Sequence, residues 1–190
     1  DADVSHNTVT DCGIEPAHGI MFRSVTSDSI NSADDPVTTY RFVCNNNTID
    51  SVGGSGIMLF CVGQGTVSGN TIRSSGQRGI NIGPTSVDLT ITANTVMLST
   101  STGIHGANRS KRIVVTGNTV TGTTTEASGN GDEGQGIKFY VGCSELTITG
   151  NTCALNCTDG IAVLAAVERV AITGNTCHAN GSGTTNRADS

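Results

Sequence analysis

The chain alternates apolar and small polar residues in short bursts cut by Gly and Asn. In Leu89-Thr90-Ile91-Thr92 the Leu and Ile fall on one side of an extended strand and both Thr on the other. The bursts are copies of one another. Val67-Ser68-Gly69-Asn70-Thr71-Ile72, Ile91-Thr92-Ala93-Asn94-Thr95-Val96, Val115-Thr116-Gly117-Asn118-Thr119-Val120, Ile148-Thr149-Gly150-Asn151-Thr152-Cys153 and Ile172-Thr173-Gly174-Asn175-Thr176-Cys177 align without gaps. Two shorter copies, Asn7-Thr8-Val9 and Asn47-Thr48-Ile49, precede them. The anchoring Asn falls at 7, 47, 70, 94, 118, 151 and 175, in steps of 40, 23, 24, 24, 33 and 24. A second marker runs in phase with it: Gly19-Ile20, Gly56-Ile57, Gly79-Ile80, Gly103-Ile104, Gly136-Ile137 and Gly160-Ile161. Measured between the two markers, the surplus residues fall in two arms, at 23–40 and 121–134.

A unit with one apolar edge cannot bury it alone, so like segments must stack on like segments. A period of about 24 suits the coils of a parallel β-helix, whose equivalent strands lie about 4.8 Å apart. It is too short for a propeller blade, which needs about 40 residues or more, and the leucine ladder of a leucine-rich repeat is missing. Stacking predicts three kinds of inward column. One pairs Leu89, Ile113, Leu146 and Val170 with Ile91, Val115, Ile148 and Ile172; a second holds Val9, Ile49, Ile72, Val96, Val120, Cys153 and Cys177; a third holds the six Ile of the Gly-Ile marker. The Gly-Asn pair suits a turn in which one residue takes positive φ, and stacked Asn amides can hydrogen-bond along a ladder.

Composition narrows the class further. The 190 residues carry 16 acidic and 10 basic side chains, a net charge of -6, with only 14% charged residues, which excludes a nucleic-acid binder that works through phosphate contacts. No run approaches the ~18 consecutive apolar residues of a membrane helix. With 25 glycines, 3 prolines and no tryptophan, the chain is too regular for disorder and too poor in Leu and Ala for a helical bundle. The recurring Ile-Thr-Gly-Asn-Thr resembles the right-handed parallel β-helix superfamily, similar to pectate lyases and to phage tailspike proteins that process polysaccharide. That resemblance spans about residues 2–177 and implies an all-β, single-stranded right-handed solenoid of six to seven coils, filling residues 1–178, with 179–190 as a C-terminal tail. It also implies a homotrimer on an extracellular or virion surface. The paired-Asp and Gly-His-Gly motifs of polygalacturonases and the Asp-Pro-His motif of alginate epimerases are missing, and His105 stands in Ile-His-Gly.

Seven cysteines cannot all pair within one chain. Cys44, Cys153 and Cys177 occupy positions where sister repeats have Val or Ile, so they read as small buried hydrophobes. Stacking would bring Cys153 and Cys177 within disulfide range, but stacked coils need no staple, and reduced thiols are expected. No second pair of ligands accompanies Cys153 and Cys157, so neither a zinc site nor a cofactor is expected. Asp28, Asp34 and Asp35 in the first arm give no sequence sign of converging on a cation.

With the interior filled, chemistry must come from outward columns. Beside the Gly-Ile marker these are Met21, Met58, Asn81, His105, Lys138 and Ala162; His18, Ser55, Arg78, Thr102, Gln135 and Asp159; and Arg23, Phe60, Gly83, Ala107, Tyr140 and Leu164. The middle coils thus bring Arg78, Asn81, His105, Gln135, Lys138 and Tyr140 to one face, expected to be exposed. The second arm, with Glu126, Asp132 and Glu133, empties onto it. Arg78, Asn81, Gln135 and Tyr140 supply the planar polar groups and the aromatic that saccharides bind. Two chemistries fit. A glycoside hydrolase needs two carboxyls about 5 to 9.5 Å apart, and Asp132 or Glu133 facing Asp159 is the available pair. A lyase acting on uronates needs a base and a cation, roles open to His105 or Lys138 with Arg78. The expected function is polysaccharide binding and cleavage, with a structural or adhesive shaft as the alternative. No helix covers either end coil, so caps are expected from flanking domains or sister subunits.

Overall fold

A computed structural model of the chain describes residues 1–13, 17–23, 41–124 and 133–181. Most of both arms, including Asp28, Asp34, Asp35, Glu126 and Asp132, lies outside the described residues. The described chain is all strand and turn. Coil 1 carries β1 (Ala2–Ser5), β2 (Thr8–Thr10) and β3 (Ile20–Arg23); coil 2 carries β4 (Phe42–Asn45), β5 (Thr48–Val52) and β6 (Ile57–Phe60). Coil 3 follows with β7 (Gly63–Ser68), β8 (Thr71–Ser75) and β9 (Ile80–Ile82), and coil 4 with β10 (Val87–Thr92), β11 (Thr95–Met97) and β12 (Ile104–Gly106). Coil 5 holds β13 (Lys111–Thr116), β14 (Thr119–Thr121) and β15 (Ile137–Phe139); coil 6 holds β16 (Ser144–Thr149), β17 (Thr152–Ala154) and β18 (Ile161–Val163). Coil 7 has β19 (Glu168–Thr173) and β20 (Thr176–His178).

Equivalent strands pair in parallel into three sheets of 7, 7 and 6 strands, each in coil order. Every inward column expected from the period is found in register: Leu89 against Ile113, Val96 against Val120, Ile104 between Ile80 and Ile137. This is a right-handed parallel β-helix. Its core is a file of aliphatic side chains, most of them fully buried from Ile49 to Ile148. In coil 7 the same file is open: Ile172 remains 46% exposed, because among the described residues β19 has a neighbour on one side only. Two glycines interrupt the aliphatic columns for a reason of volume. The ring of Phe42 lies over Gly65 and that of Phe139 over Gly106, each filling the space a side chain there would need.

The Gly-Ile glycine marks a different constraint. A Cβ at Gly103 would collide with Val120 Cγ1 and stand 2.7 Å from Gly136 O, so the corner closes only with no side chain there. At the opposite corner the residue before each anchoring Asn has positive φ, as in Gly69 (63°), Ala93 (54°) and Gly117 (64°), which turns the chain between the first and second sheets.

That turn aims each Asn into the stack. Asn94 Oδ1 accepts from the backbone N of Asn70 at 3.0 Å and from Asn70 Nδ2 at 2.9 Å. Its own Nδ2 donates to Asn118 Oδ1 and Val67 O, both at 2.9 Å. The pattern repeats from Asn7 to Asn175, with the internal rungs buried. A second, shorter ladder joins Asn156 to Asn180. Outside, opposite charges one period apart form a file: Arg112 pairs with Asp88 at 2.5 Å and Arg169 with Glu145 at 2.9 Å.

Replacing Asn94 strips four hydrogen bonds from buried groups, each costing about 1 to 3 kcal/mol when left unmet. Denaturant unfolding is therefore expected to show Asn94→Ala destabilised by roughly 3 kcal/mol or more. The exposed first rung, Asn7→Ala, is expected to cost under about 1 kcal/mol. Equal losses at both positions would contradict the ladder's cooperative role.

Candidate functional site

The third sheet stacks Met58, Asn81, His105, Lys138 and Ala162 in one outward column, from β6 to β18. Strand alternation accounts for this placement: the flanking Ile80, Ile104 and Ile137 point inward and are fully buried, so the next residue must face out. The expectation that this face is exposed is corrected by the structure. Asn81 is 7% exposed, His105 5% and Lys138 4%, and Gln135 is also buried. The columns on either side bracket them. The Tyr140 ring lies 5.4 Å from the His105 ring, tilted at 54°, and Lys138 Nζ sits 5.1 Å from the Tyr140 centroid. On the other flank Arg78 Nη2 reaches across coil 4 to Glu133 Oε1 at 3.5 Å.

At the centre His105 Nδ1 lies 3.1 Å from Asn81 Oδ1. An amide oxygen only accepts, so Nδ1 carries the proton and donates, leaving a lone pair on Nε2. Burial first, then the Arg78 and Lys138 charges, hold the imidazole well below its usual pKa, so it is neutral at pH 7. Gln135 Oε1 accepts from Thr102 Oγ1 at 3.4 Å, tying coils 4 and 5 together beside it. The backbone at Glu133 and Gly134 is pinned to the scaffold: Gly134 O accepts from Thr123 Oγ1 at 2.6 Å and from Thr158 N at 3.1 Å, and Glu133 O accepts from Thr158 Oγ1 at 3.3 Å.

The structure thus gathers Arg78, Asn81, His105, Glu133, Lys138 and Tyr140, with Gln135 alongside. Asp159 lies one coil beyond Gln135 in the same column, its backbone O accepting from Gly136 N at 2.9 Å. It is exposed and lines a depression of about 610 Å³ with Ile172, Asn175 and Cys177, at the edge of the last coils. Asp132 lies outside the described residues. Sequence reasoning placed Thr102 in its column without giving it a role, and missed Ser101. Both are buried here, and among the described residues Ser101 Oγ, like Arg78 Nε, finds no hydrogen-bond partner. Their signal was positional: Thr102 shares the column of Arg78 and Gln135 one coil from each.

A family model described as a right-handed β-helix region matches residues 1–125. No curated protein and no solved structure matches the chain.

The buried imidazole makes stability pH-dependent with a definite sign. Its folded pKa lies below the unfolded value of about 6.5, so the unfolded state binds more protons as pH falls. The contribution is complete above about pH 6.5 and is lost as pH drops toward the folded pKa, by at most about 1.4 kcal/mol per pH unit. Urea titrations from neutral to acid pH are expected to show this slope in the wild type and a shallower one in His105→Gln. Identical slopes would place the imidazole in water.

Proposed function

Given that the chain belongs to the right-handed β-helix family, we propose that it binds an acidic polysaccharide along the third sheet and cleaves it by β-elimination. The observation that carries this reading is His105, a neutral imidazole whose Nδ1 is held by Asn81 Oδ1 and which feels the charges of Arg78 and Lys138. A uronate ring needs a base to take the proton next to its carboxylate and cations to hold the charge that develops there. Nε2 is the base; Arg78 and Lys138 hold the carboxylate; Asn81 fixes the tautomer; Tyr140 and Gln135 line the sugar path. Breaking the C–O bond at the neighbouring carbon, with the leaving oxygen taking a proton from water, leaves an unsaturated sugar. Hydrolysis is less well supported, since Glu133 is paired with Arg78, which in the elimination reading exchanges that partner for the substrate carboxylate. In this reading the protein works outside the cell or on a virion surface, where such polymers are met.

One observation favours a second reading. Asn81, His105 and Lys138 are buried, which suits a closed polar seam in a structural shaft. Incubation with pectate, alginate and bacterial capsular polymers, read as ultraviolet absorbance of unsaturated ends, separates the two. Elimination predicts product from at least one uronate polymer, reduced about 10²- to 10⁴-fold in His105→Ala and in Lys138→Ala. Undiminished activity in both variants would dismiss the site. Absence of binding and product on every polymer would leave the shaft.

A further inference from the structure

Cys153 in β17 and Cys177 in β20 are in-register partners on neighbouring coils. They occupy the inward column that holds Val9, Ile49, Ile72, Val96 and Val120 elsewhere. Both thiols are free. Strands paired in register stand about 4.8 Å apart, inside the 4.4–6.8 Å Cα separation that a disulfide spans. No other two cysteines among the described residues face each other across a strand pair. The two differ in access: Cys153 is buried and Cys177 exposed. The Cys177 sulfur is turned toward coil 6, where a Cβ at Gly160 would stand 2.7 Å from it.

We propose that Cys153 and Cys177 are a redox-convertible pair, a modification site for small disulfides of the glutathione class, which bolts coil 7 to coil 6. The Cys177 thiolate attacks one sulfur of the small disulfide; that S–S bond breaks, and the leaving thiolate takes a proton from water. Cys153 then gives its proton to solvent and attacks the Cys177 sulfur, expelling the second small thiol. Two protein thiols are oxidised and one small disulfide is reduced to two thiols. Burial pushes the Cys153 thiol up to about 12, so the second step is the slow one and quickens as pH rises. The consequence is local. Among the described residues β19 and β20 pair with coil 6 alone, so a covalent link from β17 to β20 reinforces the contacts that hold them there. A Cys153–Cys177 bond closes that coil in oxidising fluid and releases it in reducing fluid.

The test is oxidised glutathione at about pH 8, near the usual thiol pKa, followed by alkylation in denaturant and peptide mass mapping. The expected result is loss of two alkylatable thiols, a linked peptide joining Cys153 to Cys177, and slower amide exchange in β19 and β20. Cys153→Val, which matches the sister positions Val96 and Val120, is expected to stop at a glutathione adduct on Cys177. The proposal is overturned by a wild-type adduct on Cys177 that leaves Cys153 open to alkylation, by a bond from Cys177 to Cys157, or by no reaction at Cys177.

Discussion

Everything in this molecule depends on vertical register: the backbone of each coil hydrogen-bonds to the coil one period away, residue over equivalent residue. A slip of one position would turn every inward Ile outward and every Thr inward. Three devices hold the alignment at different depths. The aliphatic files fill the interior, the Asn ladder fixes one corner from within, and alternating Asp88, Arg112, Glu145 and Arg169 mark the outside. The Asn ladder is the most exacting of these. Its amides both donate and accept along the stack, and an aliphatic substitute leaves the neighbours' N–H and C=O groups buried without partners.

The same register explains where chemistry can reside. Insertions that would break a strand pair are confined to corners, and the pinned backbone at Glu133 and Gly134 shows one such segment rejoining the scaffold without disturbing β15. Side chains from three successive coils then meet with no sequence proximity. Arg78, His105 and Lys138 are separated by about one coil each, yet they share one electrostatic environment, in which the imidazole is held neutral. A solenoid positions a cluster by periodicity where other folds use loops.

Much of this was legible in the residues. The spacing of Asn and Gly-Ile was enough to name every stacked partner of Ile104 and Val96, because period and register are one quantity in a solenoid. It also placed Asn81, His105 and Lys138 in a single column. Their burial was not legible, since alternation tells which way a side chain leaves the strand and nothing about what its neighbours do next. Tyr140 and Arg78 are long enough to lean across adjacent columns, and that lean depends on side-chain packing that the period does not encode. The second ladder of Asn156 and Asn180 was missed for a related reason: Val52, Ser75 and Ser99 occupy its corner in earlier coils, so no repeated letter announces it. The charge file was readable at the 24-residue spacing of Asp88 and Arg112, but only once the period had been applied to polar positions as well as apolar ones.

The central claim is that residues one period apart lie directly over each other. Methyl-selective labelling of isoleucine, with through-space proton contacts read between δ1 methyls, tests it most directly. A single file of contacts running Ile57 to Ile80 to Ile104 to Ile137 to Ile161 is the predicted result. Contacts that skip members of this file, or that join Ile104 to neither Ile80 nor Ile137, would contradict the stacking and the functional cluster built on it.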